Sequence, residues 1–371
     1  MNAGTFIRNR RISPSVAIAN EFKTRVLGDN GIYEGGEHLV SLIRMMRHKD
    51  IYDRASLILT PNGYKSGKLY ALKPDNGSGD FTSSGGGGSR VNTNGSMASL
   101  PQNMPKIDYT NGYPEILLER ASSNVLLHSQ VLSSQTININ SGLYVLSFYG
   151  TGSVTVNEST PVTLVGNADG SRKHIMFQSS GGSKNITVTG EVKNAQLEPI
   201  NNQDYYNFPT SWIPTTGTSA SRSIASLLKT GISHLINQDE GTVYFEVKRQ
   251  GRGILLRIDD NTNINSLRFF NTGLPGNTIE TRYTKSGQES LNSTTTITLS
   301  ANNVFTLTYN SQKCDIYVNG QSFASLNNIG TFSNILNRIS FLGTESTLNR
   351  IKYFSYIPTF LNPNQLIRLS E

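Results

Sequence analysis

The sequence predicts a mainly β protein in which two consecutive antiparallel β-sandwiches, of jelly-roll or concanavalin-like type, follow a small N-terminal segment with a helix and a hairpin. Charged residues make up only 16% of the 371 residues. Asn, Ser, Thr and Gly are abundant instead, which suits strands and tight turns. Short runs of alternating apolar residues, separated by turn residues about every 8 to 12 positions, are typical of sandwiches. A convincing helical stripe occurs at one place, within the first 75 residues.

Residues 1–75 form the N-terminal segment, for which we predict one amphipathic helix and one hairpin. The helix runs from about Gly36 to His48, where apolar side chains recur at positions i, i+3, i+4 and i+7. These apolar side chains are Leu39, Leu42, Ile43 and Met46. Two short strands, Ala55 to Thr60 and Lys68 to Leu72, flank a Pro-Asn-Gly turn at residues 61–63.

A helix and a hairpin supply only a small core, so this segment is expected to need a neighbour or a second copy of itself. We therefore predict that residues 1–75 serve oligomerisation and docking, with the apolar stripe as the seam between copies. The alternative is that the stripe covers the hairpin within one chain.

Residues 76–125 are predicted to be a Gly/Ser-rich linker and an extended connector. Small polar residues and glycines dominate Asn76 to Ser96, and this composition favours a flexible chain. Gly85 to Ser89 (GGGGS) looks like an engineered linker. The residues that flank it indicate a natural origin, as described below.

The two sandwiches are predicted at residues 126–214 and 220–371. In the first, apolar runs such as Leu143 to Phe148 alternate with Gly, Asn and Ser. In the second, Thr242 to Lys248 alternates Val and Phe with Tyr, Glu and Lys, which predicts a strand with one face in water. Asn319-Gly320 predicts a tight hairpin. Asn362 as cap and Pro363 in the first turn predict a final short helix.

Composition and charge exclude several classes of protein. One cysteine, Cys314, rules out a disulfide within the chain. No apolar run approaches the length of a membrane-spanning helix, and Met1 to Arg11 lacks the apolar core of a signal peptide, so neither membrane insertion nor secretion is expected. Most of the net charge of +7 lies in the first 75 residues. Nucleic-acid binding is not expected, because basic stripes interleaved with aromatics are missing.

Catalytic and metal-binding patterns are also missing, so we expect no enzymatic activity and no cofactor. The five histidines have no metal-like or triad spacing, and hydrolase and phosphate-loop motifs do not occur. Glu246 is a lone strand carboxylate of the kind that glycosidases use in pairs; the alternative is a solvated strand face. Asp259 to Asn263 offers oxygen ligands for Ca²⁺ at alternate positions, with an ordinary polar hairpin turn as the alternative.

Aromatic residues near the end of the first sandwich are candidates for binding sugar rings. Tyr205, Tyr206 and Trp212 lie close together in the sequence, and aromatic faces stack on sugars. The alternative is that they pack in the core, as aromatic residues of sandwiches commonly do.

Several short elements resemble a segment of tailed-bacteriophage appendage and tail-fibre-type proteins, including those of crAss-like phages. The elements are Arg90-Val91-Asn92, Pro105-Lys106-Ile107-Asp108-Tyr109, Ile116-Leu117-Leu118-Glu119, Gln196-Leu197-Glu198 and Ser211-Trp212-Ile213-Pro214-Thr215. Such proteins carry a Ser/Ala/Thr-rich stretch where this chain has its glycine run, and a Tyr where it has Trp212. The last third, from Gly241-Thr242-Val243-Tyr244 onward, is similar to a concanavalin A or laminin-G sandwich.

The resemblance implies a structural virion protein of a tailed bacteriophage, made in the host cytoplasm and carried on the particle surface as a head or tail fibre. It implies a homotrimer that docks on other virion proteins through its N-terminal segment and binds host surface glycans. A soluble lectin-like protein of another origin is the alternative, and a polysaccharide depolymerase is a third.

Overall fold

The computed structural model describes residues 14–34, 49–200, 208–262, 264–271, 278–296, 302–327, 330, 332, 335–342 and 346–370. The described residues are mainly β, with large antiparallel sheets and few helices, which confirms the predicted fold class. None of the helices in these ranges is long and apolar enough to cross a membrane.

Three helices and twenty-six strands are described. The helices are α1 (Pro14–Gly28), α2 (Lys49–Arg54) and α3 (Pro363–Ser370). The strands before the first sandwich are β1 (Ile32–Tyr33), β2 (Leu57–Lys65), β3 (Lys68–Lys73), β4 (Phe81–Gly86), β5 (Gly88–Val91), β6 (Met97–Leu100), β7 (Ile107–Asp108), β8 (Glu115–Glu119) and β9 (Ser122–Asn124). The first sandwich contains β10 (Gln135–Ile139), β11 (Gly142–Tyr149), β12 (Ser153–Val156), β13 (Val162–Val165), β14 (Lys173–Ser179), β15 (Gly182–Thr189) and β16 (Lys193–Ile200). The strands that follow are β17 (Ala220–Thr230), β18 (Gly241–Asp259), β19 (Ser266–Asn271), β20 (Thr278–Lys285), β21 (Gln288–Thr296), β22 (Asn303–Tyr309), β23 (Lys313–Val318), β24 (Gln321–Asn327), β25 (Arg338–Leu342) and β26 (Ser346–Ile357).

The first sandwich packs a three-stranded sheet, in the order β14-β11-β16, on a four-stranded sheet, in the order β10-β15-β12-β13. Side chains from both sheets, such as Leu146, Phe148 and Val154, form its core. At its edge Glu158 is buried and accepts hydrogen bonds from Lys184 Nζ at 2.7 Å and Ser179 Oγ at 2.5 Å. Burial raises the pKa of Glu158, but these two donors outweigh it and lower the pKa to about 2.

The second sandwich is built from two separated parts of the chain. The first half of β18 pairs with β22 and β26, and its second half pairs with β19 and β25, so this strand belongs to both layers. Hydrogen-bonded neighbours run β18, β25, β17, β4, β3, β2, β26 and back to β18. Inside, Phe245 lies 4.9 Å from Phe269 and 5.0 Å from Phe305, centroid to centroid.

This topology corrects the predicted domain division. Residues 57–86, assigned to a separate N-terminal segment and a linker, supply three strands that complete the second sandwich. The first sandwich is therefore inserted between two parts of the second. The physical reason is that β2 to β4 bury their apolar faces against β17 and β26 rather than in a small core of their own.

The glycine run is part of a strand and a hairpin, not a flexible linker. β4 pairs with β17, and Ser84 Oγ lies 2.7 Å from Ser226 Oγ across that pair. Gly85 has a φ of +70°, and a Cβ built on it would lie 1.9 Å from the carbonyl oxygen of Ile224. Only glycine allows this conformation and this close approach, which gives the GGGGS stretch a structural role.

The predicted hairpin at residues 55–72 is confirmed as β2 and β3, but its turn is elsewhere. β2 runs through Pro61-Asn62-Gly63, where the register with β3 shifts, and the chain turns after Lys65. The Asn319-Gly320 hairpin and the C-terminal helix are confirmed. Asn362 Oδ1 caps α3 by accepting from Gln365 N at 3.1 Å. The helix predicted at residues 36–48 lies outside the described residues.

The sequence predicts that Tyr244, Glu246 and Lys248 face water, and this prediction is wrong for Tyr244 and Glu246. Tyr244 is 1% exposed and Glu246 is 7% exposed. They lie beneath a second apolar cluster to which all three helices contribute, with Phe22 from α1, Tyr52 from α2 and Leu366 from α3. The helices therefore cover the outer face of the sheet, which the alternating sequence predicts to face solvent.

Candidate functional site

The two sandwiches meet at a buried group of charges, which we call the junction network and which centres on Glu119. Glu119 Oε2 accepts from Lys106 Nζ at 2.8 Å and lies 3.1 Å from Arg222 Nη1. Ser211 donates its N–H to Glu119 Oε1 at 2.6 Å and its hydroxyl to Oε2 at 2.7 Å. The side chains of Glu119 and Arg222 are 1% exposed and that of Lys106 is 2% exposed.

The network continues into the first sandwich through Glu198 on β16. Glu198 Oε2 accepts from Ser122 Oγ at 2.5 Å and from Thr210 Oγ1 at 2.7 Å, and lies 3.4 Å from Arg120 Nη2. On the other side, Arg350 of β26 contacts Asp108 at 2.5 Å and Glu115 at 3.3 Å. Because both sandwiches contribute charged groups, the network fixes how one packs on the other.

Burial and pairing shift the pKa values of the network in opposite directions. Burial lowers the pKa of Lys106 to about 8 although Glu119 lies beside it. Burial raises the pKa of Glu119, but Arg222 and Lys106 outweigh it and hold that pKa well below its usual range. At neutral pH the centre therefore contains two cations and one carboxylate, all out of contact with solvent.

The elements that carry the phage resemblance converge on this network. From the first element, Arg90 Nη1 donates to Ile107 O at 2.9 Å and Val91 N donates to Asp108 Oδ2 at 2.9 Å. From the last, Ser211 contacts Glu119. Elements that are more than one hundred residues apart in the sequence thus form one contact surface.

A cleft of about 260 Å³ opens beside the network, between the two sandwiches, and we call it the junction cleft. The first sandwich contributes Tyr149, Arg172 and His174, and the second contributes Lys248 and Arg350. Arg90, Asp108 and the segment from Phe208 to Trp212 complete the wall. This combination of basic and aromatic side chains makes the cleft the best candidate for a binding site in the described chain.

Arg172 is the central basic side chain of the cleft. Its Nη1 donates to Thr210 O at 2.6 Å, its Nη2 donates to Ser147 Oγ at 2.8 Å, and it lies 5.9 Å from the centre of the Tyr149 ring. Burial lowers the pKa of Arg172. Burial and the charge of Arg172 also lower the pKa of His174, so this imidazole is neutral at pH 7.

A larger groove of about 1070 Å³ lies between α1, α2 and the end of β3, but its basic groups are already engaged. Arg25 donates to Asp80 and to carbonyl oxygens of Ala71, Pro74 and Asp75. Lys73 donates to three carbonyl oxygens at the end of α2. These contacts hold α1 and α2 on the sandwich and leave the groove mostly apolar.

Of the residues predicted to bind glycans, one lines the junction cleft and two lie outside the described residues. Trp212 contributes to its wall but is 5% exposed, and its Nε1 donates to Ser129 Oγ at 3.1 Å. This burial favours the packing role that we gave as the alternative. Tyr205 and Tyr206 lie outside the described residues.

Other predicted residues lie away from the cleft or outside the described chain. The residues of the predicted seam between copies lie outside the described chain: Leu39, Leu42, Ile43 and Met46. Glu246 accepts from Tyr244 Oη at 2.7 Å beneath the helices and does not face an open sugar-sized surface.

Asp259 is the last residue of β18, and Asp260 to Thr262 lie in the turn of the β18–β19 hairpin, as the alternative to a Ca²⁺ site predicted. Asp259 accepts two hydrogen bonds from Arg338, at 2.7 and 2.8 Å. Asp260 accepts from Thr262 and Asn265. In the part of the chain that the structure describes, no group of three or more His, Cys, Asp or Glu side chains is placed to hold a metal ion.

The sequence did not point to Arg172, Lys248 or Arg350 as site residues. Each lies in a different strand or loop, and their proximity depends on pairings between distant parts of the chain. Lys106 and Glu119 were visible within the phage-like elements, but as parts of a motif and not as a buried ion pair.

No protein-family model and no curated protein matches the chain. Among solved structures it is similar to the binding domain of botulinum neurotoxin DC in complex with SialylT, with 14% identity and a TM-score of 0.34 over 40% of this chain and 39% of that chain. It is also similar to the botulinum neurotoxin serotype C1 binding domain, with 12% identity and a TM-score of 0.33 over 40% of each chain. These matches span about two fifths of those chains, and a similarity of this size assigns no function.

Proposed function

We propose that the protein is a non-enzymatic structural component of a tailed bacteriophage, a head or tail fibre that projects from the particle and binds host surface glycans. The observation that carries the proposal is the convergence of the phage-like elements on the junction network. Each element alone is a weak match to such proteins, but together they form a single buried unit. This is expected if the elements were retained together for one structural purpose.

In this proposal the N-terminal residues dock the protein on the particle and hold three copies together. Residues 49–75 belong to the second sandwich, which leaves residues 1–48 for this role. α1 supports it, because Phe22 and Val26 pack on the sandwich whereas Val16 and Leu27 are 44% and 50% exposed. Exposed apolar side chains on a terminal helix suit contact with another chain.

The sandwiches carry the glycan-binding role. Tyr205, Tyr206 and Trp212 remain our proposed sugar-binding aromatics, and of these Trp212 lines the junction cleft. A soluble lectin of another origin would use the same surface without a particle. A depolymerase is less well supported, because Glu246 is buried and the carboxylates of the cleft wall, Asp108 and Glu119, are held in ion pairs.

Blocking of adsorption tests the proposal. Host cells are incubated with the purified full-length chain before the phage that encodes it is added, and free phage is counted. We expect fewer particles to adsorb, and periodate oxidation of the cell-surface sugars to abolish binding of the chain.

A chain that neither binds the cells nor slows adsorption would contradict the glycan-binding part of the proposal. Release of reducing ends from host polysaccharide would overturn the non-enzymatic assignment. A heat-denatured sample of the same chain is the control, because it shows whether unfolded protein alone changes adsorption.

A further inference from the structure

The junction cleft carries more positive charge than its own carboxylates balance. The basic side chains of the cleft and network are Arg90, Lys106, Arg120, Arg172, Arg222, Lys248 and Arg350, and the carboxylates are Glu34, Asp108, Glu115, Glu119 and Glu198. Each carboxylate contacts at least one of the cations within 3.4 Å. The cations left over are Arg172 and Lys248, which both line the cleft.

Arg172 is the first of these. Its guanidinium contacts two uncharged oxygens, and no carboxylate of the described residues lies within 4.0 Å of it. A half-buried guanidinium without a carboxylate in contact is costly, because its charge is only partly solvated. Its fork geometry matches a carboxylate, and its buried Nε has no hydrogen-bond partner among the described residues.

Lys248 is the second. It lies directly opposite Arg350 in the β18–β26 pair, and like charges directly opposite each other destabilise a sheet. Arg350 is neutralised by Asp108 and Glu115, whereas Lys248 has no ion-pair or hydrogen-bond partner among the residues that the structure describes. An anion in the cleft would relieve this repulsion and would be shared with Arg172.

The shape and the wall of the cleft narrow the class of anion. A volume of about 260 Å³ suits one ring-sized group, not a long stretch of polymer. The half-buried rings of Tyr149 and Phe208 offer apolar surface to a sugar ring. Asp108 and Glu119 also belong to the wall, which favours a singly charged carboxylate over a doubly charged phosphate.

We propose that the junction cleft binds the carboxylate of an acidic sugar, such as a uronic acid at the end of a glycan, between Arg172 and Lys248. This inference rests on the proposed function and names the chemical class of glycan. It places recognition at the joint between the two sandwiches, where a ligand would contact both.

Binding of three small probes to the full-length chain tests the inference, measured by ligand-observed NMR. The probes are methyl galacturonoside, its methyl ester, which has the same ring without the charge, and galactose 6-phosphate. We expect the acid to bind at least about tenfold more tightly than the ester. We also expect this preference to weaken at high salt.

Variants locate the site. Lys248→Gln should lower the affinity for the acid about tenfold, and among the described residues it removes no ion pair or hydrogen bond. Arg172→Lys should lower it as well while keeping the positive charge, because the fork is lost. The matched control is Lys173→Gln, which removes a positive charge next to Arg172 in the sequence but outside the cleft wall, and it should leave affinity unchanged.

Equal binding of acid and ester, no binding of any probe, or an equal effect of Lys173→Gln would overturn the inference. Tighter binding of the sugar phosphate, dependent on Lys248, would overturn the carboxylate assignment. A chain that blocks phage adsorption but shows no preference for the acid would leave the proposed function standing without the inference. A chain that binds the acid through Lys248 but does not affect adsorption would leave the inference standing without the proposed function.

Discussion

Replacing Glu119 by Gln removes the carboxylate that, among the described residues, contacts both Lys106 and Arg222. The three side chains are at most 2% exposed, so water cannot replace the lost charge. Breaking a buried ion pair by removing one partner costs about 3–5 kcal/mol. The amide oxygen of Gln can still accept from Ser211 N, now 2.6 Å from Glu119, so we expect a value near the lower end, about 3 kcal/mol.

The pKa of Lys106 gives this prediction a pH dependence. That pKa is about 8, so Lys106 is charged at pH 7 and has lost most of its proton at pH 9. At pH 9 the wild type has therefore also lost the attraction between Lys106 and Glu119. The difference in stability between the variant and the wild type should shrink as the pH rises through about 8.

Urea unfolding followed by fluorescence measures the effect at the right place. Trp212 is the only tryptophan, and its carbonyl oxygen accepts from Ser89 Oγ at 2.6 Å beside the junction network. A loss of about 3 kcal/mol should lower the urea midpoint by about 1 M or more, for a slope of about 2–3 kcal/mol/M. The matched control is Glu191→Gln, whose ion pair with Lys193 is 53% exposed on both sides and should contribute less than about 1 kcal/mol.

The reasoning would be refuted if Glu119→Gln lowered the midpoint no more than Glu191→Gln does. It would also be refuted if the fluorescence transition of Trp212 were unchanged while the rest of the chain lost stability, because the network would then not hold the joint.

Three further predictions concern other parts of the chain. Gly85→Ala should lower the melting temperature by several degrees, because its Cβ would lie 1.9 Å from a carbonyl oxygen of β17. The control is Gly95→Ala, which has a similar φ and nothing within 4 Å of the added Cβ, and it should lower the free energy of unfolding by only about 1 kcal/mol. Glu158→Gln should flatten the loss of stability between about pH 4.5 and pH 2, since a carboxylate with a lowered pKa stabilises the fold above its unfolded pKa and loses that contribution as the pH falls; melting at each pH measures this. Replacing Leu42 and Ile43 by Asp should convert the proposed trimer to a monomer in native mass spectrometry, and an unchanged mass in a folded variant would contradict the seam.

Local signals in the sequence predicted the elements that depend on a few neighbouring residues. Asn319-Gly320 forms a hairpin because both residues adopt positive φ, at 51° and 77°, which that turn requires. Asn362 and Pro363 start α3 because the cap and the first turn satisfy the free N–H groups locally. The alternating strands of both sandwiches were predictable for the same reason.

Features that depend on distant pairings were not predictable. The glycine run suggested a linker because such sequences have little to bury, yet β17 lies more than 130 residues away and pairs with β4. A water-facing side of β18 was predicted from the alternation of apolar and polar residues alone, and this alternation contains no information on the helices that cover the strand. α1 was missed because its apolar stripe is narrow: of the side chains described from Val16 onward, Phe22 and Val26 are the buried ones.

The candidate site was predictable only in part. The sequence placed Trp212 and its neighbours near the end of the first sandwich, and the cleft opens there. The basic side chains Arg172 and Lys248 had no local pattern, because each is one cation within an otherwise ordinary strand or loop. Their proposed role follows from the lack of a carboxylate partner among the described residues, which is a property of the folded chain.

Immunogold electron microscopy of intact particles tests the central claim most directly. Antibodies raised against the full-length chain are applied to purified particles of the phage that encodes it. We predict gold label on the outside of the particle, at the head or at the tail. Unlabelled particles, with the chain detected only in the soluble lysate, would contradict the assignment as a virion fibre.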